Sequence, residues 1–152
     1  MDILVIDDTQ ADLYLIKEML SQTANPLNLD FASSYSEGLN QLTHKRYDVI
    51  LCDYFLDCCK TGAELIVNKI PTINKQTPCV VISSLPFDGM EGIISEAGAI
   101  YFVDKNRMTA TSLETSIYYA SKAMDCVSDD LPREMKSKRI ELAKAINFML
   151  EL

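Results

Sequence analysis

The sequence has one histidine, no tryptophan, five glycines and five prolines among its 152 residues. No apolar run approaches the roughly 20 residues that a membrane-spanning helix needs, and the N-terminus lacks the basic stretch that begins a signal peptide. The five cysteines show no C-x-x-C spacing, which argues against a disulfide framework or a Cys/His zinc site. These absences exclude membrane-spanning and disulfide-rich secreted proteins and predict a cytoplasmic protein with reduced thiols.

Composition and charge narrow the class further. With 48% hydrophobic and 24% charged residues, the chain has the composition of a folded domain, and its length predicts one domain with a short appendage. The net charge is −8, and residues 1–126 carry all of this excess, with 17 acidic against 9 basic residues. Such a surface repels phosphate backbones and anionic lipids, so we expect no direct nucleic-acid or membrane binding by this segment.

Five short apolar runs, each followed by a helical pattern, predict an α/β fold. The strands are expected at residues 3–6, 29–32, 49–52, 79–82 and 100–103, and the helical patterns lie at 13–20, 39–42, 65–70, 90–94 and 113–120. Ser34-x-x-Glu37 and Thr111-x-x-Glu114 are expected capping boxes. Continuous apolar strands are typical of a parallel sheet covered on both faces, so the pattern predicts a doubly wound five-stranded sheet.

Polar residues follow these strands where such a fold binds its ligand, at the carboxyl ends of the strands. They are Asp7 and Asp8, Asp53, Ser83 and Ser84, and Lys105. No glycine-rich phosphate loop follows the first strand, which excludes dinucleotide-binding and P-loop domains.

Clustered carboxylates favour a hard divalent cation such as Mg²⁺, and beside it one carboxylate can act as a nucleophile toward phosphorus. Taken singly, each residue has an ordinary alternative: Asp8 could cap a helix, Ser83 could belong to a turn, and Lys105 could be a solvated surface residue. Their joint occurrence at one sheet edge favours a phosphoryl-transfer site.

These motifs resemble those of the receiver domain of two-component response regulators. The acidic pair Asp7-Asp8, Asp53, Ser83 and Lys105 match the family motifs, with spacings of 30 residues from Asp53 to Ser83 and 22 from Ser83 to Lys105. The stretch Gly98-Ala99-x-x-Phe102-Val103-x-Lys105 also matches. The resemblance covers residues 1–126 and implies a flavodoxin-like (βα)5 receiver domain with an extra C-terminal helix.

By this resemblance, Asp53 accepts a phosphoryl group from a sensor histidine kinase or a phosphotransfer protein. Mg²⁺ would be ligated by Asp8, Asp53 and the backbone carbonyl of Phe55, while Asp7 would hold metal-bound waters. The domain would then act as a signalling switch, with self-catalysed phosphoryl transfer as its chemistry.

The resemblance also assigns contacts to the phosphoryl group. Ser83 and Lys105 would bind its oxygens, and Ser83 and Phe102 would act as the conformational switch. Phe55 and Leu85 match the positions that tune hydrolysis in the family. Neither side chain can orient a water molecule, so we expect slow self-dephosphorylation.

The sequence departs from the family pattern in two loops. Asp57 and Gly62 stand where proline and glycine are common, with one extra residue between them, and Asn106 replaces the proline that commonly follows the lysine. Cys58 and Cys59 are interpreted as loop residues, with a redox role as the alternative.

Residues 127–152 are predicted to form a helical extension that begins near Pro132. One interpretation is a sixth helix packed on its own domain. The other is a helix that forms a homodimer or leads to an output domain outside this chain, because no stop signal follows it. The basic residues Lys136, Lys138 and Arg139 alternate with acidic ones and are interpreted as a solvated face.

Two further functions compete with the phosphorylated switch. One is a pseudo-receiver scaffold that works without phosphate, which the intact set of site residues disfavours. The other is a phosphohydrolase with an aspartate nucleophile, which needs a second aspartate two residues later as acid and base. The chain has Phe55 there, so turnover is disfavoured.

Overall fold

The computed structural model describes residues 1–57, 60–61, 77–84 and 101–125. The elements are β1 (Asp2–Ile6), α1 (Gln10–Ser21), β2 (Asn28–Ala32), α2 (Tyr35–His44), β3 (Val49–Asp53), β4 (Phe55–Asp57), β5 (Lys60–Thr61), β6 (Cys79–Ser83), β7 (Tyr101–Asp104) and α3 (Ala110–Asp125). Several predictions concern residues outside the described ranges. They are the helical patterns at 65–70 and 90–94, the roles of Cys58, Cys59 and Leu85, and the extension at 127–152.

Five strands form one parallel sheet in the order β2-β1-β3-β6-β7. The chain adds β2 on one side of β1 and then β3, β6 and β7 on the other side, as in flavodoxin-like folds. This change of side creates a crevice at the carboxyl ends of β1 and β3. The predicted doubly wound sheet is therefore confirmed. The five strands predicted from the sequence agree with the observed ones to within one residue at each end.

The core lies on both faces of this sheet. One cluster, on the α2 side, includes Leu4, Ile6, Ile50 and Val81, and the other, on the side of α1 and α3, includes Ile3, Val5, Ile16, Leu51, Leu113 and Ile117. Alternate residues of β1 and β3 point to opposite clusters, which explains why these strands are apolar at consecutive positions. Within the described ranges, no helix is long and apolar enough to cross a membrane.

Of the two capping boxes predicted from the sequence, the structure shows one and not the other. The Ser34 hydroxyl accepts the Glu37 N–H at 3.1 Å, as predicted, and the Glu37 carboxylate accepts the Ser33 N–H at 2.7 Å. The capping box predicted at Thr111-x-x-Glu114 is wrong. Helix α3 begins two residues earlier, where Thr109 and Ser112 form the reciprocal pair, their N–H groups donating to each other's hydroxyls at 2.8 and 3.1 Å.

A short antiparallel hairpin of β4 and β5 follows β3, where the sequence indicated a loop with one extra residue. Phe55 pairs with Thr61 in this hairpin, and its ring meets the Tyr54 ring edge to face at a centroid distance of 4.8 Å. Tyr54 is buried, whereas Phe55 is 43% exposed. Residues 55–57 and 60–61 therefore pair with each other outside the main sheet.

Helix α2 packs closely on β1 at Gly38. A Cβ at this position would lie 2.7 Å from Cδ1 of Ile6, a side chain that is fully buried. We expect Gly38→Ala to lower the free energy of unfolding by about 1–3 kcal/mol, because overpacking outweighs the better helix propensity of alanine. Urea unfolding would measure this change, with Ser36→Ala on the exposed side of α2 as the control.

The double variant identifies the atom responsible. Ile6→Val removes Cδ1, so Gly38→Ala should cost much less in the Ile6→Val background than in the parent. Strictly additive free energies for the two substitutions would contradict this account of the α2 packing.

Candidate functional site

Four strands bring polar side chains to the same edge of the sheet. Ile6 lies opposite Cys52 in the β1–β3 pair, so Asp7, directly after β1, and Asp53, the last residue of β3, are neighbours. Ser83 lies opposite Asp104 in the β6–β7 pair, immediately before Lys105. The sheet register therefore gathers the predicted site residues at the carboxyl edge.

The centre of this edge is the ammonium group of Lys105. It donates to Asp7 Oδ2, to Asp12 Oδ2 at 2.9 Å and to Asp53 Oδ2 at 3.2 Å. The Lys105 side chain is 6% exposed, and those of Asp7 and Asp53 are 0% and 9% exposed. One buried cation thus links carboxylates from the β1 loop, from α1 and from β3.

Backbone and side-chain hydrogen bonds hold the segment that carries Lys105. The Lys105 N–H donates to the Ser83 carbonyl at 2.9 Å, and Asn106 Nδ2 donates to the Ser84 carbonyl at 2.8 Å. The Asn106 N–H also donates to Asp104 Oδ1 at 2.9 Å. A proline at position 106 would have neither donor. In this chain, Asn106 stabilises the turn after β7 through these two hydrogen bonds.

Asp7 and Asp8 differ in their environments. Asp7 is fully buried, and its Oδ1 accepts the Thr9 N–H at 2.9 Å. Burial raises the pKa of the Asp7 carboxyl, and Lys105 opposes this shift. Asp8 is exposed, and the N-cap of α1 is Thr9. The alternative role of Asp8 as a helix cap is therefore wrong.

Asp53 is a buried carboxyl with charged neighbours of both signs. Burial and the nearby Asp7 carboxylate raise the pKa of Asp53 from 3.8 to about 6, although Lys105 favours the charged form. At neutral pH the group is mostly ionised, yet it is more basic than an ordinary aspartate. Such a carboxylate is available to act as a nucleophile and, for the same reason, to bind a cation.

Asp7, Asp8 and Asp53 each offer a carboxylate oxygen, and these oxygens lie within 4.8 Å of one another. Three oxygen donors at this spacing, one of them exposed, fit a hard divalent cation that keeps some of its waters, as Mg²⁺ does. The predicted carbonyl ligand, Phe55, begins β4 two residues beyond Asp53, and its role as a ligand stays a prediction.

Two other predicted site residues lie beside this cluster. Ser83 ends β6 and is fully buried. Phe102 lies opposite Val81 in the β6–β7 pair and packs, partly buried, against the α2-side core. Their roles in switching stay predictions.

Asp12 is the residue that the sequence reasoning missed. It lies in the first turn of α1, where acidic side chains are common because they interact favourably with the helix dipole. An acidic residue at this position therefore does not by itself indicate a functional site. A usable signal was its place in the chain. The first turn of the helix after β1 begins at the same sheet edge as the acidic pair.

The fold and the acidic edge together define a flavodoxin-like α/β domain with a charged site at its carboxyl edge. The family model of the response regulator receiver domain matches residues 3–117. The chain therefore belongs to the response regulator receiver domain family. A comparison with curated proteins gave no match.

Solved structures with the same fold include several receiver domains. A CheY-like receiver domain protein from Methanospirillum hungatei JF-1 has 20% identity and a TM-score of 0.72, over 82% of this chain and 95% of that one. A receiver domain protein from Clostridium thermocellum has 24% identity and a TM-score of 0.70, over 82% and 96%. The chemotaxis protein CheY4 of Vibrio cholerae has 18% identity and a TM-score of 0.69, over 78% and 97%.

The raised pKa of Asp53 leads to a prediction about stability and pH. Because the folded-state pKa of about 6 exceeds that of the unfolded chain, the ionised carboxylate costs stability above pH 6, and this cost disappears as the pH falls toward 4. In metal-free buffer, Asp53→Asn should therefore raise the free energy of unfolding at pH 7.5 by about 2 kcal/mol, and the gain should vanish near pH 4.

Urea unfolding at a series of pH values in the presence of a chelator measures this effect. Glu18→Gln, which removes an exposed carboxylate from α1, serves as the control and should change stability little at any pH. A destabilising effect of Asp53→Asn at pH 7.5 would contradict the conclusion that burial outweighs the Lys105 ion pair.

Proposed function

We propose that this receiver domain is a phosphorylation-controlled switch in a two-component phosphorelay. In this proposal Asp53 accepts a phosphoryl group from a phosphohistidine on a sensor histidine kinase or a phosphotransfer protein. The observation that carries it is the position of the Asp53 carboxylate, which accepts a hydrogen bond from the Lys105 ammonium at 3.2 Å and has an oxygen within 4.8 Å of carboxylate oxygens of Asp7 and Asp8.

In the transfer, an Asp53 oxygen attacks phosphorus as the phosphorus–nitrogen bond to the donor imidazole breaks, and the bonding electrons stay on that nitrogen. Lys105 is placed to meet the negative charge of the phosphoryl oxygens, and the Ser83 hydroxyl is proposed as a further donor. Mg²⁺ bound by Asp8, Asp53 and the backbone carbonyl of Phe55, with Asp7 holding metal-bound waters, would offset the repulsion between the nucleophile and the incoming anion. The product is an aspartyl phosphate.

Switching is assigned to Ser83 and Phe102. They lie on the neighbouring strands β6 and β7, and the backbone of Ser83 is tied to that of Lys105. Movement of Ser83 toward a phosphoryl group would therefore also shift the turn after β7 that carries Lys105. That shift would change the space open to the partly buried Phe102 ring.

The phosphorylated form is expected to be long-lived. The Phe55 side chain, 43% exposed and in edge-to-face contact with Tyr54, has no group that can orient a water for in-line attack. Leu85, the second residue in this prediction, lies outside the described ranges. A partner phosphatase or back-transfer to the donor would then reset the switch.

The alternatives are weaker. An aspartate-nucleophile phosphohydrolase lacks its acid–base residue, because Phe55 stands at that position. A phosphate-independent scaffold has no need for a buried lysine among carboxylates, an arrangement that is costly to assemble without a functional return.

Two solved structures named DrrB support a role in two-component signalling. The DrrB receiver domain, 21% identical, is described as BeF₃-activated. The response regulator DrrB of Thermotoga maritima is described as an OmpR/PhoB homolog, and this chain covers 50% of its length. We accordingly propose residues 1–126 as a cytoplasmic receiver domain and 127–152 as a dimerisation helix or a linker to an output domain.

Acetyl phosphate tests the phosphoacceptor. With Mg²⁺, intact mass should show one added phosphoryl group on the parent and none on Asp53→Asn, because the variant lacks the nucleophile but keeps nearly the same volume. Asp48→Asn, the same change at the opposite, exposed end of β3, is the matched control and should be phosphorylated like the parent.

The other outcomes separate the alternatives. An adduct that persists in Asp53→Asn would overturn the assignment of Asp53. Consumption of acetyl phosphate without an adduct would favour a phosphohydrolase, and the absence of both would favour a scaffold.

Sedimentation tests the proposed role of residues 127–152. If they form a dimerisation helix, the 152-residue chain should associate while a chain ending at Cys126 stays monomeric. Phosphorylation is expected to shift the association by about 1–3 kcal/mol, the usual size of coupling between sites. Equal oligomeric states for the two chains would favour the packed sixth helix.

A further inference from the structure

The contact between Asp12 and Lys105 joins helix α1 to the proposed phosphorylation site. Asp12 Oδ2 lies 2.9 Å from the Lys105 ammonium, closer than Asp53 Oδ2 at 3.2 Å. Asp12 is neither one of the predicted site residues nor a member of the carboxylate group suited to the metal. Its role therefore needs a separate explanation.

Asp7, and not Asp12, accepts the N–H of the residue that caps α1. An acidic residue three positions after an N-cap commonly accepts the N–H of that cap. Here the N–H of the N-cap Thr9 donates instead to Asp7 Oδ1 at 2.9 Å, and the Asp12 carboxylate reaches Lys105. The side chain of Asp12 is thus used for a contact across 93 residues of sequence rather than for capping its own helix.

The contact between Asp12 and Lys105 matters because the lysine ammonium has a limited number of N–H donors. An ammonium group has three N–H donors, and in this structure Asp7, Asp12 and Asp53 supply three carboxylate acceptors. Phosphorylation removes the charge of the Asp53 carboxylate, so the phosphoryl oxygens take over the N–H that Asp53 accepts from Lys105. They can accept a second N–H of this ammonium only if Asp7 or Asp12 releases one.

Asp7 and Asp12 differ in what release of the ammonium would cost. Asp7 is fully buried, so losing its cation would leave a charge without hydration. The Asp12 side chain is 31% exposed, and water can replace the ammonium there. Asp12 is therefore the acceptor that exchanges most readily.

We propose that Asp12 is a positioning residue that competes with the phosphoryl group for Lys105. In the resting protein it holds the ammonium toward α1. In the phosphorylated protein Lys105 turns to the phosphoryl oxygens and Asp12 becomes hydrated. The competition weakens the phosphorylated state and releases one contact of α1. This inference rests on the proposed function of Asp53.

Beryllofluoride, which mimics a phosphoryl group on a carboxylate, tests the competition without covalent chemistry. Calorimetric titration of the Mg²⁺-saturated protein should show that Asp12→Asn binds beryllofluoride about three- to tenfold more tightly than the parent. Asp12→Glu keeps the charge and should stay close to the parent. Glu18→Gln removes the same charge from the same helix away from Lys105 and corrects for long-range electrostatics.

Two further measurements separate positioning from general effects. The gain in Asp12→Asn should persist at high ionic strength, where any effect of Glu18→Gln is screened. A titration with Mg²⁺ in the absence of the anion should show no gain in affinity, because without Asp12 the ammonium pairs more fully with Asp7 and Asp53. A merely structural change would move both affinities in the same direction.

The outcomes keep the two proposals distinct. If the parent does not bind beryllofluoride, or if Asp53→Asn binds it equally well, the proposed function fails. If the parent binds it and Asp53→Asn does not, but Asp12→Asn equals Glu18→Gln or binds more weakly than the parent, the competition by Asp12 is refuted and the proposed function stands.

Discussion

The carboxyl edge of this domain depends on one buried ammonium group. Lys105 neutralises carboxylates from the β1 loop, the first turn of α1 and the end of β3, and two of these carboxylates have almost no access to water. Without the lysine, their mutual repulsion would act in a poorly solvated site and destabilise the fold by several kcal/mol, roughly the cost of breaking a buried ion pair. The arrangement that we propose for phosphoryl chemistry thus also fixes how β1, β3 and β7 meet α1.

The charge balance of the edge explains why a cation suits it. Among the residues that the structure describes, four carboxylates, including the exposed Asp8, lie at this edge with one ammonium, and their summed charge is negative. Burial and, after it, the nearby Asp7 carboxylate raise the pKa of Asp53. A divalent cation would offset the negative charge and allow an anionic phosphoryl donor to approach. The excess of negative charge in the metal-free site therefore favours the metal-assisted phosphoryl transfer that we propose.

Much of this architecture could be predicted from the sequence, because continuous apolar strands and polar residues at their ends are local signals. The strands, the Ser34 cap and the position of Asp53 were predicted in this way. Asp12 was missed since a carboxylate in a first helical turn already has an ordinary explanation. The hairpin was missed since strands of two and three residues carry no periodicity. The start of α3 was misplaced by two residues because Thr109 and Thr111 are equivalent as caps until the turn after β7 is known.

The short hairpin has a consequence for how such domains diverge. The Tyr54 N–H donates to the Ile82 carbonyl at 3.0 Å, which extends the β3–β6 ladder one residue beyond Asp53, and the Tyr54 ring is buried. Asp53, the proposed nucleophile, is thus held in the sheet on both sides. Under the proposed function, insertions or deletions beyond Tyr54 would alter the surface next to the phosphoacceptor while its carboxylate keeps its place. Recognition of a phosphodonor would then be able to change at this hairpin independently of the chemistry.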